Sequence, residues 1–188
     1  TVTAVFDIQL RRNRTFKFDY RGPTKMTQIE ELKSGALHPF ATWPHSAVPT
    51  AAAGVYSIWN NNGTLIYVGM SGRGMSNEHL TESQSVGRKR GLYTRLNSHA
   101  SGARSGDQFC VYIADRLVLP TLTQEQIKAI SERTIAFDHL VRDYIHANLS
   151  YRFVLTHDGD EAINLEREAR SGLLGSLPFL NPLLNRSI

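Results

Sequence analysis

The chain has one cysteine, Cys110, which excludes a disulfide framework and any multi-cysteine zinc site. Set between Phe109 and Val111, it reads as a small buried hydrophobe. No apolar run approaches the ~18 residues that a membrane helix needs, so no membrane partner is expected. No basic stretch followed by an apolar one opens the chain, and the expected location is cytoplasmic. The motifs HExxH, CxxC and GxSxG are absent, and the seven histidines show no metal-ligand spacing. The glycine-rich GMSGRG lacks the Lys-Ser/Thr ending of a phosphate-binding P-loop. Lysine is scarce too: of 21 basic residues, 5 are Lys and 16 are Arg. Arginine's planar fork suits phosphate.

What remains is an ordinary globular composition, 188 residues with 41% hydrophobic and 20% charged, enough for a core without staples. The net charge of +4 is unevenly spread. Residues 1–25 carry +4, residues 86–104 carry +5 with no acid, and residues 113–162 carry −3. Two basic segments point to a basic face and a polyanionic partner.

Alternating apolar residues on either side of the Arg11–Arg14 turn predict a hairpin over residues 1–22, followed by a short helix over 27–37. Pro39, Pro44 and Pro49 mark a connector, so residues 1–50 are expected to be an N-terminal appendage. From Gly54 the pattern sharpens. GVYSIW and TLIYVG read as two strands joined by the turn NNNG. Residues 88–101 form an amphipathic helix that puts Arg95 and His99 on one side. QFCVYIA reads as a strand. Thr123 and Gln126 form a capping box that starts a helix running through Tyr144. SYRFVLT is a strand, and residues 161–174 form the last helix.

Tyr56 and Tyr67 lie on adjacent strands, Arg95 and His99 on the next helix, and Glu166 on a later one. These groups suit phosphodiester chemistry. A carboxylate binds a hard cation such as Mg²⁺, and an arginine offsets charge on a pentacovalent phosphorus. Each has a plainer reading when taken alone: strand tyrosines as core, Arg95 and His99 as a helix face, Glu166 as an ion-pair partner of Arg170.

Their order along the chain resembles a known family. Gly54-Val55-Tyr56 with Tyr67-Val68-Gly69, the tyrosines eleven positions apart, is similar to the signature of the GIY-YIG nuclease superfamily. GLYTRLNSH looks like its first helix, which puts Arg95 on the catalytic arginine. YRFVLTHDGDEAINLE resembles its third strand and glutamate-bearing helix, which puts Glu166 on the metal ligand. PFLN puts Asn181 on its C-terminal asparagine. His99 resembles the histidine of the restriction-endonuclease-like branch, which there hydrogen-bonds the reactive tyrosine or water. The resemblance covers residues 54–182. Val replaces Ile in both halves of the signature, and an insertion of roughly 45 residues, around 103–149, departs from the family minimum. Glu168, thirteen residues before Asn181, is a rival ligand to Glu166.

The resemblance implies an α+β GIY-YIG fold. Its small antiparallel sheet of three core strands would be flanked by helices, with an inserted strand-helix segment and the N-terminal appendage. Residues 51–188 would be the nuclease domain. The implied activity is Mg²⁺-dependent hydrolysis of double-stranded DNA, with Mn²⁺ as a substitute, to 5′-phosphate and 3′-hydroxyl ends. Tyr56, Tyr67, Arg95, His99, Glu166 and Asn181 would form the site. Arg73, Arg88, Lys89, Arg90 and Arg104, with Arg11, Arg12 and Arg14, would hold the phosphate backbone. A restriction-type enzyme, modification-dependent or not, is the leading reading. One site cuts one strand, so a double-strand cutter needs a homodimer or sequential cuts. The alternatives are a nicking or structure-selective repair or mobile-element nuclease, and an inactive DNA-binding module.

Overall fold

The computed structural model describes residues 25–182. The hairpin expected over residues 1–22, with Arg11, Arg12 and Arg14, lies outside the described residues. In chain order the elements are α1 (Lys25–Ser34), β1 (His38–Pro39), β2 (Ala51–Asn60), β3 (Leu65–Ser71), α2 (Asn77–Ser85) and β4 (Arg90–Gly91). There follow α3 (Leu92–Ser101), α4 (Gln108–Ile113), α5 (Gln124–Ser131), α6 (Phe137–Asn148), β5 (Leu149–Thr156) and α7 (Gly159–Glu168). The protein is α+β. Its sheet runs β1-β5-β2-β3, antiparallel throughout, and β4 adds a short parallel pairing to β2. No helix among the described residues is long and apolar enough to cross a membrane.

The central strand β2 is buried from Ala51 to Trp59, because β3 and β5 cover its two edges and helices cover both faces. Period-two alternation divides its side chains between two cores. Ala52, Tyr56 and Ile58 face one core, filled by Leu92 and Leu96 of α3, Phe109 and Ile113 of α4, and Val141 and Ile145 of α6. Val55 and Trp59 face the other, filled by Ile29 and Leu32 of α1 and by Ala162 and Leu165 of α7. The turn between β2 and β3 closes as its asparagines predict: Asn60 Oδ1 accepts from the backbone N–H of Asn62 and Thr64 at 3.0 and 2.8 Å.

Both glycines of the expected signature have a steric reason. A Cβ at Gly54 would stand 2.3 Å from the carbonyl oxygen of Val154 on β5. A Cβ at Gly69 would stand 2.3 Å from the Tyr56 hydroxyl and 2.9 Å from the Tyr67 ring. Gly69 pairs directly with Tyr56, so its missing side chain is the space the phenol occupies.

Several sequence expectations change. QFCVYIA is not a strand: residues 108–113 are the helix α4, and the segment 103–149 consists of helices joined by loops until β5 begins. Asp107 caps α4 by accepting from the backbone N–H of Phe109 at 3.0 Å. Phe109, Cys110 and Ile113 turn inward together, a helical rather than alternating spacing. An apolar run of six residues, Phe109 to Ala114, cannot separate the two periods. The capping box at Thr123 and Gln126 forms as expected. The helix it opens ends at Ser131, where Arg133 takes a positive φ of 58°, and α6 restarts at Phe137. Likewise α7 gives way to a wider turn over Ala169–Leu173, broken at Gly172 with φ 103°.

From residue 25 onward, the stretch expected to be an appendage joins these cores through Ile29, Leu32, Phe40 and Val48. Residues 179–180 run along β3. Backbone N–H groups of Phe179 and Leu180 donate to the carbonyls of Leu65 and Ile66 at 3.1 and 2.9 Å.

Candidate active site

A cleft of about 490 Å³ opens beside Tyr56 and Tyr67, between the β3 end of the sheet, α3, the start of α4 and α7. Three of its walls follow from local rules. Tyr67 pairs with Ile58, two residues along from the Tyr56–Gly69 pair, so both phenols share a face with ring centroids 6.4 Å apart. β4 anchors the start of α3 to β2, with Arg90 N–H donating to the Thr50 carbonyl at 2.8 Å. That aims α3 across the phenols. Leu92, Leu96, His99 and Ala100 turn inward while Thr94 and Arg95 line the cleft. Helix α7 starts on Asp158, whose Oδ1 accepts from the N–H of Asp160 and Glu161 at 3.0 and 2.9 Å, and it brings Glu166 to the opposite wall.

The Tyr56 hydroxyl lies 2.7 Å from His99 Nε2, and His99 Nδ1 lies 2.6 Å from Asp107 Oδ2. Tyr56, His99 and Asp107 are each 1% exposed. Burial pushes Tyr56 well above a phenol's usual range, assisted by the neighbouring Tyr67; Arg95 pulls the other way but does not prevail. Tyr67 is pushed up to about 12 by burial and the Glu166 charge. His99 is lowered by burial, against the opposing pull of Asp107. For Asp107 burial acts upward, but hydrogen bonds from His99, Ser98 and the Phe109 N–H, with the His99 charge, hold it below the usual carboxylate range.

Glu166 meets both of its readings. It lines the cleft, and its Oε1 accepts from Arg170 Nη1 at 3.1 Å. Its side chain is 18% exposed, and no second hydrogen bond to it occurs among the described residues. One open carboxylate fits Mg²⁺, which binds through one or two carboxylates and keeps its other waters. Glu168, the rival, does not line the cleft; it pairs with Lys25 Nζ at 2.8 Å on the surface. Asn181 holds the tail in place: its side chain accepts from the Val68 N–H and donates to the Val68 carbonyl, both at 2.8 Å.

Of the expected phosphate-contacting residues, Arg73 lines the cleft. Arg88 and Lys89 are exposed and Arg90 is half-buried on β4, with Lys89 stacked over the Tyr93 ring at 4.7 Å. Arg104 is set apart, bound to Asp138 at 2.5 Å and stacked on Phe137.

Asp107 was missed in the sequence reading. Its signal was its position before QFCVYI, that of a helix N-cap, and reading that segment as a strand hid it. A second candidate metal cluster joins His99, Asp107 and Cys110, whose ligand atoms lie within 4.8 Å of one another. Its members already satisfy one another. Both imidazole nitrogens are engaged, and the Cys110 thiol points at the His99 and Ser98 carbonyls at 3.6 and 3.9 Å. Burial and Asp107 also push the thiol up, away from the thiolate a metal needs. An imidazole-thiol set suits softer ions than Mg²⁺.

Comparison with protein-family models, with curated proteins and with solved structures finds no match for this chain.

Proposed function

We propose that this chain is a metal-dependent DNA endonuclease of the GIY-YIG type, hydrolysing phosphodiester bonds to 5′-phosphate and 3′-hydroxyl ends. The observation that carries this reading is the meeting of two phenols, an imidazole, a guanidinium and a carboxylate around one cleft, drawn from positions 56 to 166. The exposed basic residues Arg73, on the cleft wall, and Arg88 and Lys89, in the segment that leads into α3, support a polyanionic substrate.

In this reading Glu166 would hold Mg²⁺, with Mn²⁺ able to substitute. Bound there, the cation would offset charge on the scissile phosphate and its leaving oxygen. The chain's own groups do the rest. Arg95 reaches the phosphate oxygens and stabilises the charge that grows in the pentacovalent state. Tyr56 accepts a proton from the attacking water, backed by His99. Tyr67 orients water or phosphate in the cleft. Asn181 fixes the tail that supports Arg170, which donates to the Pro182 carbonyl at 2.7 Å and to Glu166 at 3.1 Å.

Supercoiled plasmid incubated with the protein in Mg²⁺ and in EDTA tests the proposal. Cleavage in Mg²⁺ alone, abolished in Glu166→Ala and Tyr56→Phe, is the expected result. Linear fragments would indicate a restriction-type double-strand cut and open circles a nicking enzyme. Equal digestion by parent and both variants overturns the residue assignments.

A further inference from the structure

Asp107 stands outside the residues that the resemblance assigns, yet it ends the hydrogen-bonded chain that starts at the reacting phenol. Its two oxygens are both committed as acceptors, Oδ1 to the Phe109 N–H at 3.0 Å and Oδ2 to His99 Nδ1 at 2.6 Å. We propose that Asp107 is a positioning residue that holds His99 as the Nδ1–H tautomer, leaving Nε2 bare behind the Tyr56 hydroxyl as the terminal proton acceptor. Its chemical role rests on the nuclease reading above; the tautomer rests on geometry alone.

The alternatives fail on contact chemistry. With the proton on Nε2, the Nδ1 lone pair would face a carboxylate oxygen 2.6 Å away between two buried side chains, two acceptors in collision. With Nε2 bare, the Tyr56 O–H donates to it across 2.7 Å. The phenol oxygen then has lone pairs free to accept from a water in the cleft. Burial also favours a neutral ring at rest.

The step balances. As water oxygen bonds to phosphorus, one water O–H breaks and that proton passes to the Tyr56 oxygen. The original Tyr56 proton passes to His99 Nε2, and the P–O3′ bond breaks with its electron pair on the leaving oxygen, which solvent protonates. The imidazolium formed lies against the Asp107 carboxylate and later returns its proton by the same route. Tyr56 never has to exist as a free phenolate, which its buried setting disfavours. The charged and titratable groups facing this path are Tyr67 from β3, Arg95 from α3, Cys110 from α4 and Glu166 from α7. The first turn of α4, inside the segment that departs from the family minimum, thereby becomes part of the site.

The test is Asp107→Asn in the full chain. Asn keeps the cap through its carbonyl oxygen but turns an N–H toward Nδ1, which forces the opposite tautomer. Long-range ¹⁵N–¹H spectra should show His99 protonated at Nδ1 in the parent and at Nε2 in the variant. Plasmid cleavage kcat should fall about 100-fold, with DNA affinity by anisotropy unchanged within about twofold. Loss of the carboxylate removes its upward pull on the imidazole, so the acid limb of the residual pH–rate profile should move to lower pH. If Asp107→Asn does not fold, Asp107→Ser retains a capping oxygen without the carboxylate and should show the same loss. An Nε2–H tautomer in the parent overturns the proposal, as does a folded variant that cleaves at the parent's rate. A parent with the Nδ1–H tautomer that cleaves no DNA upholds the assignment and sinks the nuclease reading.

Discussion

Tyr56 and Ser57 are neighbours on β2, both buried, with hydroxyls directed to opposite faces of the sheet. Each closes a small polar network. On one face the chain runs from Tyr56 through His99 to Asp107 and borders the cleft. On the other, the Ser57 hydroxyl donates to the Leu32 carbonyl at 2.6 Å and accepts from Trp59 Nε1 at 2.9 Å, sealed beneath α1. Satisfaction of buried polar groups is common to both, so it does not mark a reactive site. The difference lies in what the networks end on. The Ser57 network ends on a backbone carbonyl and an indole, neither of which moves a proton near neutral pH. The Tyr56 network ends on an imidazole and a carboxylate beside an open cavity. The first ties a helix to the sheet; the second has groups that can take up charge.

The contrast can be broken, and the largest effect should come from the cleft face. Glu166→Ala should lower plasmid cleavage by on the order of 10³-fold, a typical loss when an electrostatic stabiliser is removed, and Tyr56→Phe by about 10²–10⁴-fold. Melting temperatures should move little by comparison. Gly69→Ala should come next. The added methyl must displace the Tyr56 hydroxyl or the Tyr67 ring, at about 1–3 kcal/mol in chemical denaturation, with most of the cleavage lost in the folded protein. A variant as stable and active as the parent would show that the phenols are not held as described.

Ser57→Ala should cost about 1–3 kcal/mol by orphaning the Leu32 carbonyl and the Trp59 N–H, with cleavage unchanged well below the melting temperature. A large loss of kcat there would erase the distinction between the faces. The smallest effect is on pH. The folded pKa of His99 lies below its usual 6.5, so the folded state binds fewer protons than the unfolded chain in the window between the two values. The stability contributed by a neutral His99 is complete above pH 6.5 and is lost as pH falls toward the folded value. Asp107, also lowered in the fold, adds a loss of the same sign below its usual 3.8. Melting scans from pH 7.5 down to pH 5 should therefore show a decline that is shallower in His99→Gln.

The two sides of this comparison differed in how visible they were beforehand. Asn60 and Gly63 announce the hairpin turn, and Thr123 with Gln126 announces a helix start. The spacing of Arg95 and His99 puts them on one side of α3. Each is a relation within a few residues, set by backbone geometry that any environment preserves. The break between α5 and α6 was not visible, because Arg133 carries no glycine or proline signal for its positive φ. Nor was Asp107: its value depends on α4 being a helix, whose inward face packs on α6 and meets α3 through Cys110 and Phe109.

Residue order alone thus established the two phenols on one hairpin, the cation and imidazole on the next helix, and a carboxylate pair on a later one. Placing Glu166 in the cleft and Glu168 on the surface, closing the imidazole between phenol and carboxylate, and clamping Asn181 on Val68 required the assembled molecule. Those outcomes depend on which side chains lose water together. That is settled by packing between elements far apart in the chain, where the short-range rules of turns and helices say nothing.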